Sequence, residues 1–408
     1  MSLDPSDTPR DLQTASRLID AARRFDETIQ TANLPVYRAS TVLFDSLEQA
    51  AATGKATVAG ELHRSTYGTA GTPTTYALMD ALAEIEGAGA DCRAALMPSG
   101  LAAISVPLLA FLSPGQRMLM SDSVYGPARA FAEGMLTRMG IETVFYRPTI
   151  SAEELEAMIT PNTRVLYLES PGSYTFELQD VPALTAVARR HDMLSIIDNA
   201  WASPVFARPF DWGVDMSLLP LTKYWSGHSD VLMGAVTIRS ELWPTLWQAV
   251  RQLGICVGGD DAFLILRGMR TADVRMRRHE INALAVAEWL AGRSEVARVL
   301  HPALPSHPQH EIFKRDFSGS SGLFSFELAP GVAPAAVSAL CEGRRHFGIG
   351  YSWGGYESLI MPANIRRTIE PWTGGQLIRL HIGLEAVDDL IADLDAGFEA
   401  MRRVSSQI

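Results

Sequence analysis

Several things are scarce in this chain, and each scarcity excludes something. Cysteine is rare: Cys92, Cys256 and Cys341 are odd in number and far apart. That excludes a disulfide framework and fits thiols kept reduced in a cytoplasm. Basic charge is in deficit, with 35 Lys and Arg against 46 Asp and Glu, for a net charge of −11. A nucleic-acid binder needs a basic surface to displace counterions, so no nucleic-acid partner is expected. Long apolar runs are missing too. The longest goes from Leu101 to Leu112 and is interrupted by Ser105 and Pro107, well short of the ~20 residues that span a bilayer. The opening residues MSLDPSDTPRDLQ are polar, with no apolar segment of the secretory kind. No repeat, charge block or low-complexity stretch appears.

What is present is the composition of a folded globular protein, 47% hydrophobic and 20% charged. At 408 residues it favours more than one core. The expectation is a cytoplasmic, acidic enzyme or carrier that handles a small molecule and has no membrane partner.

The first seventy residues are mixed. Leu18, Ile19, Ala22 and Phe25 have helical spacing, and the remainder looks extended. From Pro73 the pattern sharpens. Thr74–Ile85 and Leu101–Phe111 read as helices around a strand Ala94–Met97. Arg117–Met120 reads as a strand, Ala128–Met139 as a helix and Val165–Leu168 as a strand. A helix entered through Pro182 places Leu184, Val187 and Ala188 on one face, and the strand Leu194–Ile197 follows. Apolar strands joined by helices predict a mostly parallel sheet covered on both faces. Beyond Arg267 come a long helix (Asp273–Trp289), a strand (Gly322–Leu328) and a final helix (Ala386–Met401). The division expected is an arm over 1–72, a large α/β domain over 73–266 and a smaller α+β domain over 267–408.

In open α/β sheets, ligands bind beyond the carboxyl ends of the strands. There the sequence sets Asp198-Asn199, Thr222-Lys223, Ser99-Gly100 and the stretch from Ser121 to Tyr125. Singly, each has an ordinary explanation as a cap, a turn residue or surface charge. Together, a lysine, a carboxylate, an aromatic ring and a glycine-led helix start are what pyridoxal phosphate (PLP) requires. The lysine forms an imine, the carboxylate keeps the pyridine nitrogen protonated, the ring is stacked, and the phosphate sits at a helix N-terminus.

The motifs also carry a resemblance. Leu221-Thr222-Lys223-Tyr224, followed by Gly227-His228-Ser229-Asp230, resembles the lysine signature of the Cys/Met-metabolism family of PLP enzymes. Leu168 to Gly172 and Ile197 to Trp201 look like that family's two preceding motifs. Asp316–Phe326, Tyr351–Leu359 and Ile378–Glu385 are similar to bacterial cystathionine β-lyases in particular. The resemblance runs in order from about Thr14 to the final helix.

It implies the aspartate-aminotransferase-like architecture called PLP fold type I, and carries roles over by matched position. Lys223 would be the Schiff-base lysine and then the base that removes the Cα proton, which needs a pKa lowered by burial and nearby positive charge. Asp198 would pair with the pyridine nitrogen. Tyr125 would stack on the ring and lie near the substrate amine. Gly100 and Leu101 would offer N–H groups to the phosphate, with Thr222 adding a hydroxyl. Arg379 would hold the substrate α-carboxylate, beside Ser352 and Trp353. Tyr67 would reach the phosphate of a neighbouring subunit, because family members share sites across a dimer and assemble as tetramers.

Two departures stand out. Relatives follow the tyrosine matching Tyr67 with Gly and two arginines, whereas this chain reads Tyr67-Gly68-Thr69-Ala70. A charge-assisted contact of that kind is worth ~1.5–3 kcal/mol. Arg64 and Lys55 are the cations in that stretch that could substitute, and the place for a second amino-acid head group looks less basic. Pro220 also stands where many relatives have a small residue.

Other candidates carry less. His307 and His310 lack the further ligands a metal needs, so no metal is expected. His228 reads as a structural hydrogen-bonding residue. His381, two residues from Arg379 on one strand face, reads as packed or as a buttress for the arginine. Ser318–Gly322 lacks the lysine of a P-loop and reads as a turn. Tyr351 and Trp353 are either core aromatics or part of the site.

The reading is a PLP-dependent carbon–sulfur β-lyase of amino-acid biosynthesis in cysteine and methionine metabolism. It would act on L-cystathionine or a related S-substituted cysteine and release a thiol, pyruvate and ammonia. The alternatives are a β-lyase for another cysteine S-conjugate, a γ-lyase or γ-synthase of the same family, and a catalytically inactive binding module.

Overall fold

The computed structural model describes residues 13–22, 31–87 and 89–406. Seven strands form the larger sheet. They are β1 (Cys92–Met97), β2 (Arg117–Ser121), β3 (Glu142–Tyr146), β4 (Thr163–Glu169), β5 (Leu194–Asp198), β6 (Met216–Leu219) and β7 (Gly234–Arg239). Their order is β1-β7-β6-β5-β4-β2-β3. Strands β6, β5, β4, β2 and β3 are parallel, and β7 runs against both its neighbours. Every residue of β6 is buried, and the residues of β5 from Ser195 to Asp198 are buried too. This is the continuous apolar pattern of strands covered on both faces.

A second sheet is built from β8 (Val296–Leu300), β9 (Leu323–Leu328), β10 (Phe347–Gly348), β11 (Ser358–Ala363) and β12 (Leu377–His381). Its order is β10-β11-β12-β9-β8, antiparallel except for β10 with β11. Its core includes Phe324, Phe326, Ile378 and Leu380, packed with Leu390, Leu394 and Phe398 of the last helix (Val387–Ser405). That helix presents its leucines at helical spacing and tips Asp388 and Asp389 into its first turn, where the helix dipole favours them.

Among the described residues, the α-helices that precede or enter the large sheet are α1 (Thr14–Asp20), α2 (Leu47–Ala59), α3 (Pro73–Gly87) and α4 (Gly100–Phe111). Helix α2 departs from the extended reading of that stretch. It is bounded by Ser46, whose hydroxyl accepts the Gln49 N–H, and by Gly60 at φ +83°. Its only buried residue is Thr57, and Leu47 is 91% exposed. The sequence therefore carries no apolar stripe to announce it. The helix expected over Ala128–Met139 is present but changes to a wider π-type turn over Ala132–Leu136. Of the residues expected in the first helix, Phe25 lies outside those described.

Candidate active site

Three chain segments leave the carboxyl ends of β1, β5 and β6 and meet at one cavity. After β1, Ser99 caps α4, its hydroxyl accepting the Ala102 N–H at 3.1 Å, so Gly100 and Leu101 form the first turn of a helix that opens on the cavity. Asp198 is the last residue of β5, one beyond the end expected from the sequence, and after β6 come Pro220, Thr222 and Lys223. Tyr125 arrives from the loop after β2, and Ser352, Trp353 and Arg379 arrive from the smaller sheet. All line one cavity of about 300 Å³.

Lys223 sits at its charged centre. Its Nζ donates to the Ser352 hydroxyl at 2.6 Å and lies 5.1 Å from the centre of the Trp353 ring. Burial, then the Arg379 guanidinium, bring its pKa down to about 8, against the pull of Asp198. Asp198 is buried, which raises its carboxyl to about 6, while the Ala200 N–H at 3.0 Å and Lys223 favour the ionised form. Across the β4–β5 ladder Glu169 lies opposite Asp198. Burial and then that neighbouring charge push Glu169 well up, although it accepts the Tyr125 N–H at 2.7 Å. Arg379 donates through Nη2 to the Gly350 carbonyl at 2.7 Å, and its buried Nε has no partner among the described residues. A cavity-facing guanidinium with a spare N–H is suited to a carboxylate.

The helix start is packed tightly against the loop after β6. A Cβ on Gly100 would lie 2.9 Å from the Cβ of Pro220, so the two residues are in close contact and a side chain at 100 has no room. The Thr222 hydroxyl accepts the Met233 N–H at 3.0 Å and donates to the Met233 carbonyl at 3.2 Å, so a phosphate would compete for its proton with that longer bond.

Tyr67 is not among the residues that line this cavity. It is 52% exposed and bridges Thr41 in the N-terminal segment, with exposed Thr69 beside it. Arg64 and Lys55 are exposed and do not line the cavity either. Tyr351 is 83% exposed and lies outside the lining, whereas its neighbour Trp353 is in it. His228 bonds through Nδ1 with the Ser226 carbonyl at 2.6 Å. His307 accepts the Gln309 N–H on Nδ1 at 3.2 Å. The lining also includes Glu169, Tyr174, Trp201 and Leu232, none of which was singled out from the sequence as a site residue. Tyr174 had one usable signal, its place just after the Ser-Pro-Gly turn that follows β4; there it takes φ +65°, a rare conformation for a tyrosine.

The chain matches the Cys/Met metabolism PLP-dependent enzymes over residues 15–399. It belongs to that family. Its cofactor is therefore pyridoxal 5'-phosphate, and the site residues fit it: a lysine, a carboxylate, a tyrosine and a glycine-led helix start converge on one cavity. Within the family, cystathionine beta-lyase of Escherichia coli is 42% identical over 396 residues, covering 95% of this chain and 98% of its own. L-alanine/L-glutamate racemase of Wolbachia pipientis wMel is 39% identical, covering 94% and 96%. Among solved structures, cystathionine gamma synthase of Xanthomonas oryzae pv. oryzae, in complex with aminoacrylate and cysteine, superposes with a TM-score of 0.85. It is 31% identical and covers 97% of this chain and all of that one.

Proposed function

We propose that the chain is a carbon–sulfur β-lyase of the cystathionine β-lyase type, converting an S-substituted L-cysteine and water to a thiol, pyruvate and ammonia. The observation that carries this is the convergence of Lys223, Asp198 and Arg379 on one cavity, with the lysine held at 2.6 Å from Ser352. Its identity with the Escherichia coli lyase over nearly the full chain supports the same reading.

Bound PLP supplies an electron sink for the pair left when the Cα–H bond breaks. The protein does the rest. Arg379 would hold the α-carboxylate and so fix the orientation of the bonds at Cα. Lys223, with its lowered pKa, takes the Cα proton on neutral Nζ. Asp198 would keep the pyridine nitrogen protonated, and Tyr125 would help to hold the ring. Gly100, Leu101 and Thr222 give N–H and O–H donors to the phosphate. The arm of residues 1–72 brings Tyr67 to a neighbouring subunit's phosphate, in a cytoplasmic homotetramer built from site-sharing dimers.

A second reading has its own observation. Among the described residues lining the cavity the only cations are Lys223 and Arg379, and Glu169 and Asp198 are acidic. Cystathionine brings a second carboxylate, which this wall does not meet with a cation. A cysteine whose S-substituent is alkyl or aryl would suit it.

The test is product identification after PLP-loaded protein is incubated with L-cystathionine and, separately, with S-benzyl-L-cysteine. Pyruvate with homocysteine from the first establishes the β-lyase. Pyruvate from the second alone selects the other S-conjugate. Cysteine with 2-oxobutyrate would move the chain to the γ-lyases. Turnover of neither, with loss of optical activity from L-alanine, would make it a racemase instead.

A further inference from the structure

The turn that carries Ser352 and Trp353 is tied down at both ends by side chains of one strand. Arg379 and His381 alternate on β12 and therefore share a face. Arg379 Nη2 bonds the Gly350 carbonyl at 2.7 Å. His381 Nε2 lies 3.1 Å from the Gly354 nitrogen and 3.1 Å from the Gly355 carbonyl oxygen. A neutral imidazole uses that nitrogen as acceptor in one tautomer and as donor in the other, so either tautomer grips the turn. The grip is close to the chemistry. Gly354 takes φ +91°, and a Cβ there would stand 2.9 Å from the Lys223 Cα, so the turn rests directly on the lysine backbone.

We propose that His381 is a positioning residue: by pinning Gly354 and Gly355 it holds Ser352 and Trp353 against Lys223. This rests on the reading of Lys223 as the reacting lysine. The groups around His381 keep it neutral. Burial and the His279 ring, 5.2 Å away on the helix Ala272–Ala291, hold its pKa well down, and Arg379 and Lys223 add to this. The Tyr224 ring lies 6.0 Å away, and Arg275 stands beyond His279. Protonation would cost the imidazole its only acceptor, and these cationic and apolar neighbours oppose it.

His381→Phe keeps an aromatic ring against Tyr224 and His279 but cannot bond the turn. His381→Gln offers an amide to the same two groups. The readout is the midpoint pH of Lys223 acetylation in the cofactor-free protein, followed by peptide mass spectrometry, together with kcat and KM of the loaded enzyme. Lys223 is faced by Arg379 and Asp198, which are unchanged in both variants. In His381→Phe the freed turn admits water to Nζ, so the midpoint rises by about half a unit or more, and kcat falls about tenfold with KM nearly constant. His381→Gln recovers both.

A folded His381→Phe with an unchanged midpoint and kcat overturns the proposal, as does an equal shift in His381→Gln. If His381→Phe does not fold, amide exchange of the unaltered protein decides. Either a Gly354 N–H or a His381 Nε2–H that exchanges as slowly as the amides of β12 supports the pin, and exchange of both at open-loop rates overturns it. The labelling needs no substrate, so failure of the lyase reading is visible separately as a wild-type protein that cleaves no C–S bond.

Discussion

The Lys223 ammonium donates to the Ser352 hydroxyl across 2.6 Å, joining the loop after β6 to a turn of the smaller sheet. A hydrogen bond to the charged form of an amine favours that form. Ser352→Ala removes the acceptor while the turn stays in place, so the midpoint of Lys223 acetylation should move below its wild-type value. The direction is opposite to that expected for His381→Phe, and the same mass-spectrometric titration separates the two.

Covalent uptake of PLP by the cofactor-free protein needs the neutral amine. With Lys223 at about 8 rather than 10.5, about half of the amine is neutral at pH 8 and roughly nine-tenths one unit above that. The uptake rate, followed by absorbance, should climb about tenfold per pH unit below about pH 8 and level off above it. A rate still climbing at pH 10 would mean that Lys223 titrates as an ordinary lysine.

Arg379 presents a planar fork whose buried Nε has no partner among the described residues. Lysine keeps the charge but not the fork, so Arg379→Lys should lower kcat/KM by roughly 10- to 100-fold, expressed mainly in KM. Equal kinetics in the variant would show that the carboxylate is held elsewhere.

Thr69→Arg places a cation beside Tyr67, on a segment that does not line the cavity of its own chain. If that segment completes a neighbour's phosphate seat, PLP should bind about tenfold tighter in a fluorescence titration. An unchanged Kd would place the segment away from any phosphate.

Asp122, three residues before Tyr125, is buried and paired with buried Arg129. It also accepts the N–H groups of Thr368 and Ile369 at 2.8 Å each, so it fastens the 368–369 stretch to the large sheet. Asp122→Ala leaves buried Arg129 with Glu133 at 3.3 Å as its remaining counter-charge and frees two backbone N–H groups, and should cost about 3 kcal/mol in denaturant unfolding. A cost below 1 kcal/mol would show that water reaches Arg129.

Much of the fold was legible because its signals are local. Strands β4 to β6 are short apolar runs between turn residues, and α4 announces itself through Ser99 and a run of helix-compatible apolar residues. Helix α2 was not legible, since with Thr57 alone buried it has no periodic face, and its caps at Ser46 and Gly60 are the only marks it leaves. The strands of the smaller sheet other than β9 were mostly missed for a related reason. β11, with Met361 and Pro362 partly or fully open, does not repeat cleanly, and β10 has two residues.

By itself the sequence determined the kind of chemistry, because Lys223, Asp198, Tyr125 and the Gly100 helix start each end or follow a strand, and parallel strands all deliver their carboxyl ends to one edge of a sheet. Only the tertiary structure decided which other residues share that cavity. Glu169 faces Asp198 through strand register, Tyr174 enters through a left-handed backbone turn, and Pro220 meets Gly100 across a gap no spacing encodes. The electrostatics were decided there as well. A lysine near 8 and a carboxyl near 6 arise from burial and from charges brought together from distant parts of the chain, and Coulomb energies depend on distance in space rather than along the sequence.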